Sequence, residues 1–518
     1  MKNTAPRTGR RGLAAAVATA LSATLLLATP GATSAAGEPD SPDLAALGWT
    51  TLTAESKVLA PGVELFRYQE AAPNAHRAHP RELSIVRMDP AKGALRLEST
   101  YGLKAGVSET VRTMLDKLPN DPIAGANGSY FANEGTPGVT PDTIQTFGIA
   151  ARDGELTGAN CTTDIANPRN GVVLQYGMPY FAPLEAVITV SSNVDEAKRP
   201  YGEETQRIDD VNRNPGGALG CSRDADDKAG KVGPYLDGHN KSISAFTDPT
   251  EFVLFNDTYK VPTPKRDVNK HIAADDQPGY EVRLDAAGKI IEGSAERGGR
   301  TVNRGEYILQ AIGDHQADWL AQQHKAGATL TVTQKVLDHS FDEKGVTREI
   351  PLDESVDILS GGARLVEGGE NIYAAKKGTV EYAWGSCARL YDVNGKDKEV
   401  ATFAERAATD FCRDSRTVLG VDDQGRTLIA TLTGPRGAYA PDGGFLPEIA
   451  VPLKSLGVMD AVNLDGGGST TLLTDSDRTR EGAPADWTRQ NGLTDGPAPG
   501  TERDVNDALY IGDGGYPQ

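Results

Sequence analysis

The run Asn463-Leu464-Asp465-Gly466-Gly467-Gly468-Ser469-Thr470-Thr471 sets one carboxylate, three consecutive glycines and three hydroxyls directly after Met459-Asp460-Ala461-Val462. A lone carboxylate there can act as nucleophile, general base or orienting group. Glycines after a strand let backbone N–H groups approach an anionic ligand without interference from Cβ atoms. An isolated Asp-Gly more often marks a tight hairpin turn. Three glycines in a row exceed what a hairpin needs, and this favours a site.

Other chemistries find less support. The chain has no G-x-x-x-x-G-K-[ST] phosphate loop, no G-x-S-x-G elbow and no H-E-x-x-H metal motif. Asp475-Ser476-Asp477-Arg478-Thr479-Arg480-Glu481 alternates oxygen ligands without the glycine of an EF-hand. No cofactor is required by the sequence, and a divalent cation such as calcium is compatible with it.

The elements that must position Asp465 follow from periodicity. Glu82 to Met88 and Ala94 to Glu98 alternate as strands, and Ile123 to Ala126 forms a short strand running into Asn127-Gly128-Ser129-Tyr130-Phe131. Val107, Val111, Met114, Leu115 and Leu118 share a helical face closed by Pro119. Hairpins are expected around Asp153-Gly154 and around Asp423-Gln424-Gly425. A helix is expected over His315 to Lys325, closed by Gly327, and another over Leu446 to Leu456, kinked at Pro452. Strands continue at Glu251 to Phe255, Glu281 to Leu284, Lys289 to Glu292 and Thr329 to Leu337. Many strands and few helices predict an α+β fold on a mostly antiparallel β-sheet core.

The chain has 518 residues, with 53 basic and 72 acidic side chains and a formal net charge of -19. That balance argues against nucleic acid or an anionic membrane surface as partner. Lys2, Arg7, Arg10 and Arg11 precede the apolar segment Leu13 to Ala28, and Ser34-Ala35-Ala36 offers a cleavage site. We read residues 1–36 as an export signal, through the general or the twin-arginine route, and the mature chain as secreted with no membrane span. Residues 37–80 read as an extension leading into a catalytic domain at 81–518, with insertions at about 158–248 and 370–414. The four cysteines, Cys161, Cys221, Cys387 and Cys412, suggest two disulfides, with nearest-neighbour pairing the choice among three connectivities.

In this order the pieces resemble the phosphodiester glycosidase family. The landmarks are Asn127 to Phe131, Ser360-Gly361-Gly362-Ala363-Arg364-Leu365-Val366, Arg416-Thr417-Val418-Leu419-Gly420, Asn463 to Thr471, and Asn491 with Arg503-Asp504-Val505. They span roughly residues 80 to 513. Ser129 and Ala363 depart from the family's usual pattern. The resemblance implies hydrolysis of a sugar-1-phosphodiester between the anomeric carbon and the phosphate oxygen. A phosphodiester leaves as a stable anion, so charge stabilisation matters more than protonation of the leaving group.

Roles follow as expectations. Asp465 is the reacting carboxylate, as nucleophile, base for water or stabiliser of an oxocarbenium-like transition state. The amides of Gly466, Gly467, Gly468 and Ser469, with the Ser469 and Thr470 hydroxyls, hold phosphate or sugar oxygens beside Asn463. Arg416 leads as the phosphate guanidinium, with Arg503 and Arg364 behind it. Asn127 bonds a sugar hydroxyl or an N-acetyl group, Gly128 lies beside it, and Tyr130 or Phe131 packs on the ring. Ser360, Gly361 and Gly362 supply a second backbone wall. Two other readings stay open: a non-catalytic carbohydrate-binding or envelope polysaccharide assembly protein, and a phosphodiesterase that cleaves P–O.

Overall fold

Neighbours in the central strands are buried alike: Leu65 with Phe66, Ile85 with Val86, Val418 with Leu419 and Leu428 with Ile429, none more than 2% exposed. Successive side chains of a strand point to opposite faces, so such strands need cover on both sides. The computed structural model describes residues 39, 41–71, 80–132, 144–159, 169–215, 228–232, 243–247, 250–266, 279–341, 345–372, 414–435, 443–475, 485–492 and 502–513. All belong to the unit Glu38–Gln518. The expected export signal, the four cysteines and most of the expected 370–414 insertion lie outside the described residues.

A nine-stranded sheet carries Val63–Glu70, Glu82–Met88, Thr427–Thr433, Arg416–Asp422, Val458–Asn463 and Arg364–Glu367 side by side, all antiparallel. One of its faces, through Phe66, Ile85, Val418 and Ala430, meets Ile449, Ala450 and Leu453 of the helix Leu446–Ser455. The other, through Leu65, Val86, Leu419, Ile429 and Val462, meets Leu97, Ala126, Leu472 and Leu509. Those residues come from a five-stranded sheet in the order Trp487–Arg489, Leu472–Asp475, Ala124–Asn127, Ala508–Asp513 and Leu95–Thr100. An eight-stranded sheet lends Val172, Leu174, Phe181 and Leu359 to the same core. Its opposite face shares a third core with a further five-stranded sheet and with Trp319 and Leu320 of the helix Asp314–Ala326.

The described part is thus mostly antiparallel β, with Asp210–Val211 against Phe252–Phe255 the one parallel pair among the described strands. Three α-helices occur among the described residues, and the first, Val111–Leu115, is shorter than its periodicity predicts. Thr110 caps it by accepting from the Thr113 amide. The α+β expectation therefore fits only loosely. Both expected hairpins form, the first with Asp153 and Gly154 at φ 49° and 74°, the left-handed pair of a two-residue turn.

Two regions differ from their sequence reading. Within the expected 158–248 insertion, Val172 to Tyr176 and Ala186 to Val190 read as strands from their apolar residues; they lie in the longer strands Arg169–Gln175 and Met178–Ser192, which stand at the centre of the eight-stranded sheet and not on a surface loop. Residues 37–80, expected as an extension, contribute Val63–Glu70 to the nine-stranded sheet, and Leu44 and Trp49 to its helix-side core. No helix among the described residues is long and apolar enough to cross a membrane.

Candidate active site

Asp465 lies two residues beyond the end of the Val458–Asn463 strand, at the junction of the nine-stranded and the first five-stranded sheets. Its main chain is fixed from two sides. The Asp465 amide donates to Gly128 O at 3.0 Å, and Asn127 Nδ2 donates to Asp465 O at 2.7 Å. Leu464, fully buried in the core between the sheets, anchors the peptide just before it. The side chain is half-buried. Burial raises the Asp465 pKa to about 6, against the Ser469 hydroxyl, the Gly466 amide and the Arg503 charge, which favour ionisation; Asp414 opposes it. The Gly466 amide reaches Asp465 Oδ1 at 3.0 Å. The Ser469 hydroxyl falls short of a full hydrogen bond to any described group.

The glycine amides do not form an open anion nest. Gly466 gives its N–H to Asp465, Gly467 gives its own to Ser415 O at 2.8 Å, and the amides of Ser469 and Thr470 close a 3-10 turn on Gly466 O and Gly467 O. The Gly466, Gly467 and Ser469 amides are therefore spent within the protein, against the expectation that they hold the substrate. The glycines serve close approach instead. Gly467 has φ 59°, and a Cβ on Gly466 would stand 2.6 Å from Ser415 O. What the turn leaves unspent is hydroxyl: Ser415, Ser469, Thr470 and Thr471 each bury an oxygen without a partner among the described residues, as does Asn463 through Oδ1.

Strand alternation separates the expected arginines. Thr417 and Leu419 share the face toward the five-stranded sheet, where Thr417 Oγ1 donates to Asn127 Oδ1 at 2.7 Å. Arg416 and Val418 share the other face, where Arg416 Nε donates to Gly444 O at 2.9 Å beside the helix Leu446–Ser455. Arg364 is held by an ion pair with Asp460 and donates to Phe181 O at 3.1 Å. Arg503, half-buried, is the guanidinium that acts electrostatically on Asp465.

Asn127 is fully buried, and its Oδ1 accepts from Thr417 and from the Thr471 amide at 3.0 Å. Its polar atoms face the protein, so its placement suits a positioning residue better than a sugar contact. Tyr130 remains half-exposed, with its hydroxyl bonded to Asn463 Nδ2 and its ring beside Gly362, where a Cβ would stand 2.8 Å from it. Phe131 packs at the edge of the cluster around Val111, Met114 and Trp487. The Ser360 amide goes to Ser129 Oγ at 2.9 Å, Gly361 N to Asn170 O at 2.8 Å, and Gly362 N to Asn463 O at 2.7 Å. That second wall therefore also spends its donors on the fold.

Asp507 escaped the sequence reading. It is buried, takes the Ser129 amide on Oδ1 at 2.5 Å and Asn506 Nδ2 on Oδ2 at 3.2 Å, and its main-chain oxygen accepts from Gly128 N. Burial pushes its pKa up to about 6, and the Ser129 and Asn506 hydrogen bonds hold it back. A Cβ on Gly128 would lie 2.3 Å from Asp507 Oδ1. The signal was present: an acid beside the apolar run Ala508-Leu509-Tyr510-Ile511, as Asp465 follows Ala461-Val462-Asn463-Leu464.

No group of three or more His, Cys, Asp or Glu able to hold a metal occurs among the described residues. Asp475 ends the strand Leu472–Asp475, and residues 476–481 of the expected calcium segment lie outside the described residues.

The candidate site is thus a carboxylate on a glycine turn at the meeting of two antiparallel sheets, with a guanidinium acting on it. Residues 278–512 match the phosphodiester glycosidase family model. The match takes in Asp465, Arg416 and Arg503 and leaves out Asn127 to Phe131. No curated protein matches the chain. Among solved structures, a candidate exported protein of Burkholderia pseudomallei is 17% identical, with 92% of this chain and 97% of that one covered at TM-score 0.62. That is a likeness of fold. A hypothetical protein from Synechocystis is 12% identical, covering 89% of this chain and 67% of that one at TM-score 0.49. The catalytic domain of zebrafish N-acetylglucosamine-1-phosphodiester alpha-N-acetylglucosaminidase, auto-inhibited by its pro-peptide, is 12% identical, covering 91% of each chain at TM-score 0.33. Neither of these last two likenesses is close enough to carry weight.

Proposed function

We propose that this chain is a secreted glycosidase that hydrolyses the bond between a sugar's anomeric carbon and phosphate in a sugar-1-phosphodiester, as in N-acetylglucosamine-1-phosphodiesters of cell-wall or phosphoglycan polymers. The carrying observation is Asp465: a half-buried carboxylate at a strand end, ionised above about pH 6, clamped through its main chain by Asn127 and Gly128 and acted on by Arg503. A carboxylate so held can meet positive charge growing at the anomeric carbon, as nucleophile, base for water or electrostatic stabiliser. The leaving phosphate needs positive charge rather than a proton, and Arg503 supplies it. Tyr130, half-exposed and fixed by Asn463, offers a ring face for the sugar. Export rests on the basic and then apolar pattern of residues 2–28.

Hydrolysis of GlcNAc-, Glc- and Gal-1-phosphodiesters in oxygen-18 water tests the reading. Label in the released sugar is expected; label in the phosphate would assign the protein to P–O cleavage instead. Tight glycan binding without turnover of any of them would leave only a binding role.

A further inference from the structure

Arg489 ends the strand Trp487–Arg489, and its Nη2 donates to Thr470 O at 2.7 Å, with a longer contact to Gly492 O at 3.5 Å. Its Nε and Nη1 are buried and have no partner among the described residues. Burial lowers its pKa to about 10; Glu502 works against that shift and Arg112 adds to it. A desolvated guanidinium with unspent donors is costly unless an acceptor arrives. Glu502 supplies only part of the answer, because its Oε1 takes Arg112 Nη2 at 3.2 Å. Two guanidinium groups thus share one carboxylate. The turn beside Arg489 adds the Ser469, Thr470 and Thr471 hydroxyls, all buried and unpartnered among the described residues. Every one of these groups can donate, which suits an acceptor-only ligand with several oxygens.

We propose that Arg489 and the Ser469–Thr471 hydroxyls form a subsite for an oxyanion of the phosphate class, next to the Asp465 turn. The anion is either free phosphate or a second phosphate on the substrate; the latter case rests on the functional reading above. One free guanidinium nitrogen of Arg489 takes one oxygen and the hydroxyls take the others.

The test uses the full chain carrying Asp465→Asn, so that binding is read without turnover. Inorganic phosphate is titrated at an ionic strength held constant with chloride. Saturable binding is expected, weakened roughly tenfold or more by Arg489→Gln. Glu502→Gln should tighten it, since a competing negative charge is removed, and Arg489→Lys should fall between. Phosphate binding absent from the parent, or equal in the parent and Arg489→Gln, overturns the proposal. Should Arg489→Gln fold poorly, unchanged affinity in Glu502→Gln overturns it instead. With Asp465 restored, a KM rise in Arg489→Gln only for a substrate bearing a second phosphate assigns the anion to the substrate. Competition by inorganic phosphate that Arg489→Gln abolishes, with KM unchanged for both substrates, assigns it to free phosphate. Wild-type failure to turn over any sugar-1-phosphodiester would sink the functional reading while leaving the phosphate titration as it stands.

Discussion

Asn127 donates to the main-chain carbonyl of Asp465 at 2.7 Å while its own carbonyl accepts from Thr417 and Thr471. One buried amide therefore ties Asp465 to the strand Arg416–Asp422 and to the entry of Leu472–Asp475. The carboxylate's position is set by two sheets at once, through a side chain that cannot itself reach a substrate.

Asn127→Ala should consequently act on the rate rather than on binding. A slackened carboxylate loses near-attack geometry, and kcat should fall by about ten- to a hundredfold with little change in KM. Leaving the Thr417 and Thr471 donors unpaired should cost about 1–3 kcal/mol of stability. Steady-state kinetics with denaturant unfolding checks both, and an unchanged kcat would remove Asn127 from the positioning of Asp465.

The pH dependence of stability follows from the raised pKa of Asp465. Its value moves from 3.8 to about 6, so the native state holds the proton more tightly than the unfolded chain does. The stability from this shift is complete below about pH 4 and is lost as pH rises through 6. Asp465→Asn carries no such proton, and its melting point relative to wild type should rise between pH 4 and pH 7.5. The change amounts to at most about 3 kcal/mol, less for a half-exposed group. A pH-independent difference between the two melting curves would contradict the raised pKa.

Much of the frame was legible because both-face burial writes itself as apolar runs: the Glu82–Met88 strand and the hairpin around Asp423-Gln424-Gly425 form where periodicity and turn residues place them. The Asp465 turn was legible as a place, since only glycine tolerates the approach to Ser415 O. What sequence could not say is where each donor is spent. The Gly466 and Gly467 amides are spent on Asp465 Oδ1 and Ser415 O, while the 3-10 turn closes on the two glycine carbonyls. Arg416 turns away because it shares parity with Val418, a face that sequence alone leaves unassigned. Asp507 and Arg489 gain meaning only from burial, a property of three chain segments meeting and not of any local pattern.

Gly467→Ala should cost both stability and turnover. The residue sits at φ 59°, and a Cβ there would stand 3.0 Å from the Asp414 carboxylate. The left-handed backbone alone costs a side chain about 1 kcal/mol, and displacing Asp414 moves a charge that acts on Asp465. A drop in melting temperature together with a shifted pH optimum is expected; a wild-type profile for both would show that the turn tolerates the change.

Arg503 and Arg416 can be separated by their effect on protonation. Arg503 favours the ionised form of Asp465, whereas Arg416 Nε is committed to Gly444 O on the opposite face of its strand. Arg503→Gln should therefore raise the Asp465 pKa above 6, and the acid limb of log(kcat/KM) against pH should move toward neutrality. The direction is fixed: removing a cation makes a carboxylate harder to ionise. Arg416→Gln, which loses the donor to Gly444 O, should lower the melting point and leave the acid limb in place. Full pH–rate profiles of the two variants read the difference. An acid limb that moves with Arg416→Gln and stays fixed with Arg503→Gln would return Arg416 to the site and place Arg503 outside it.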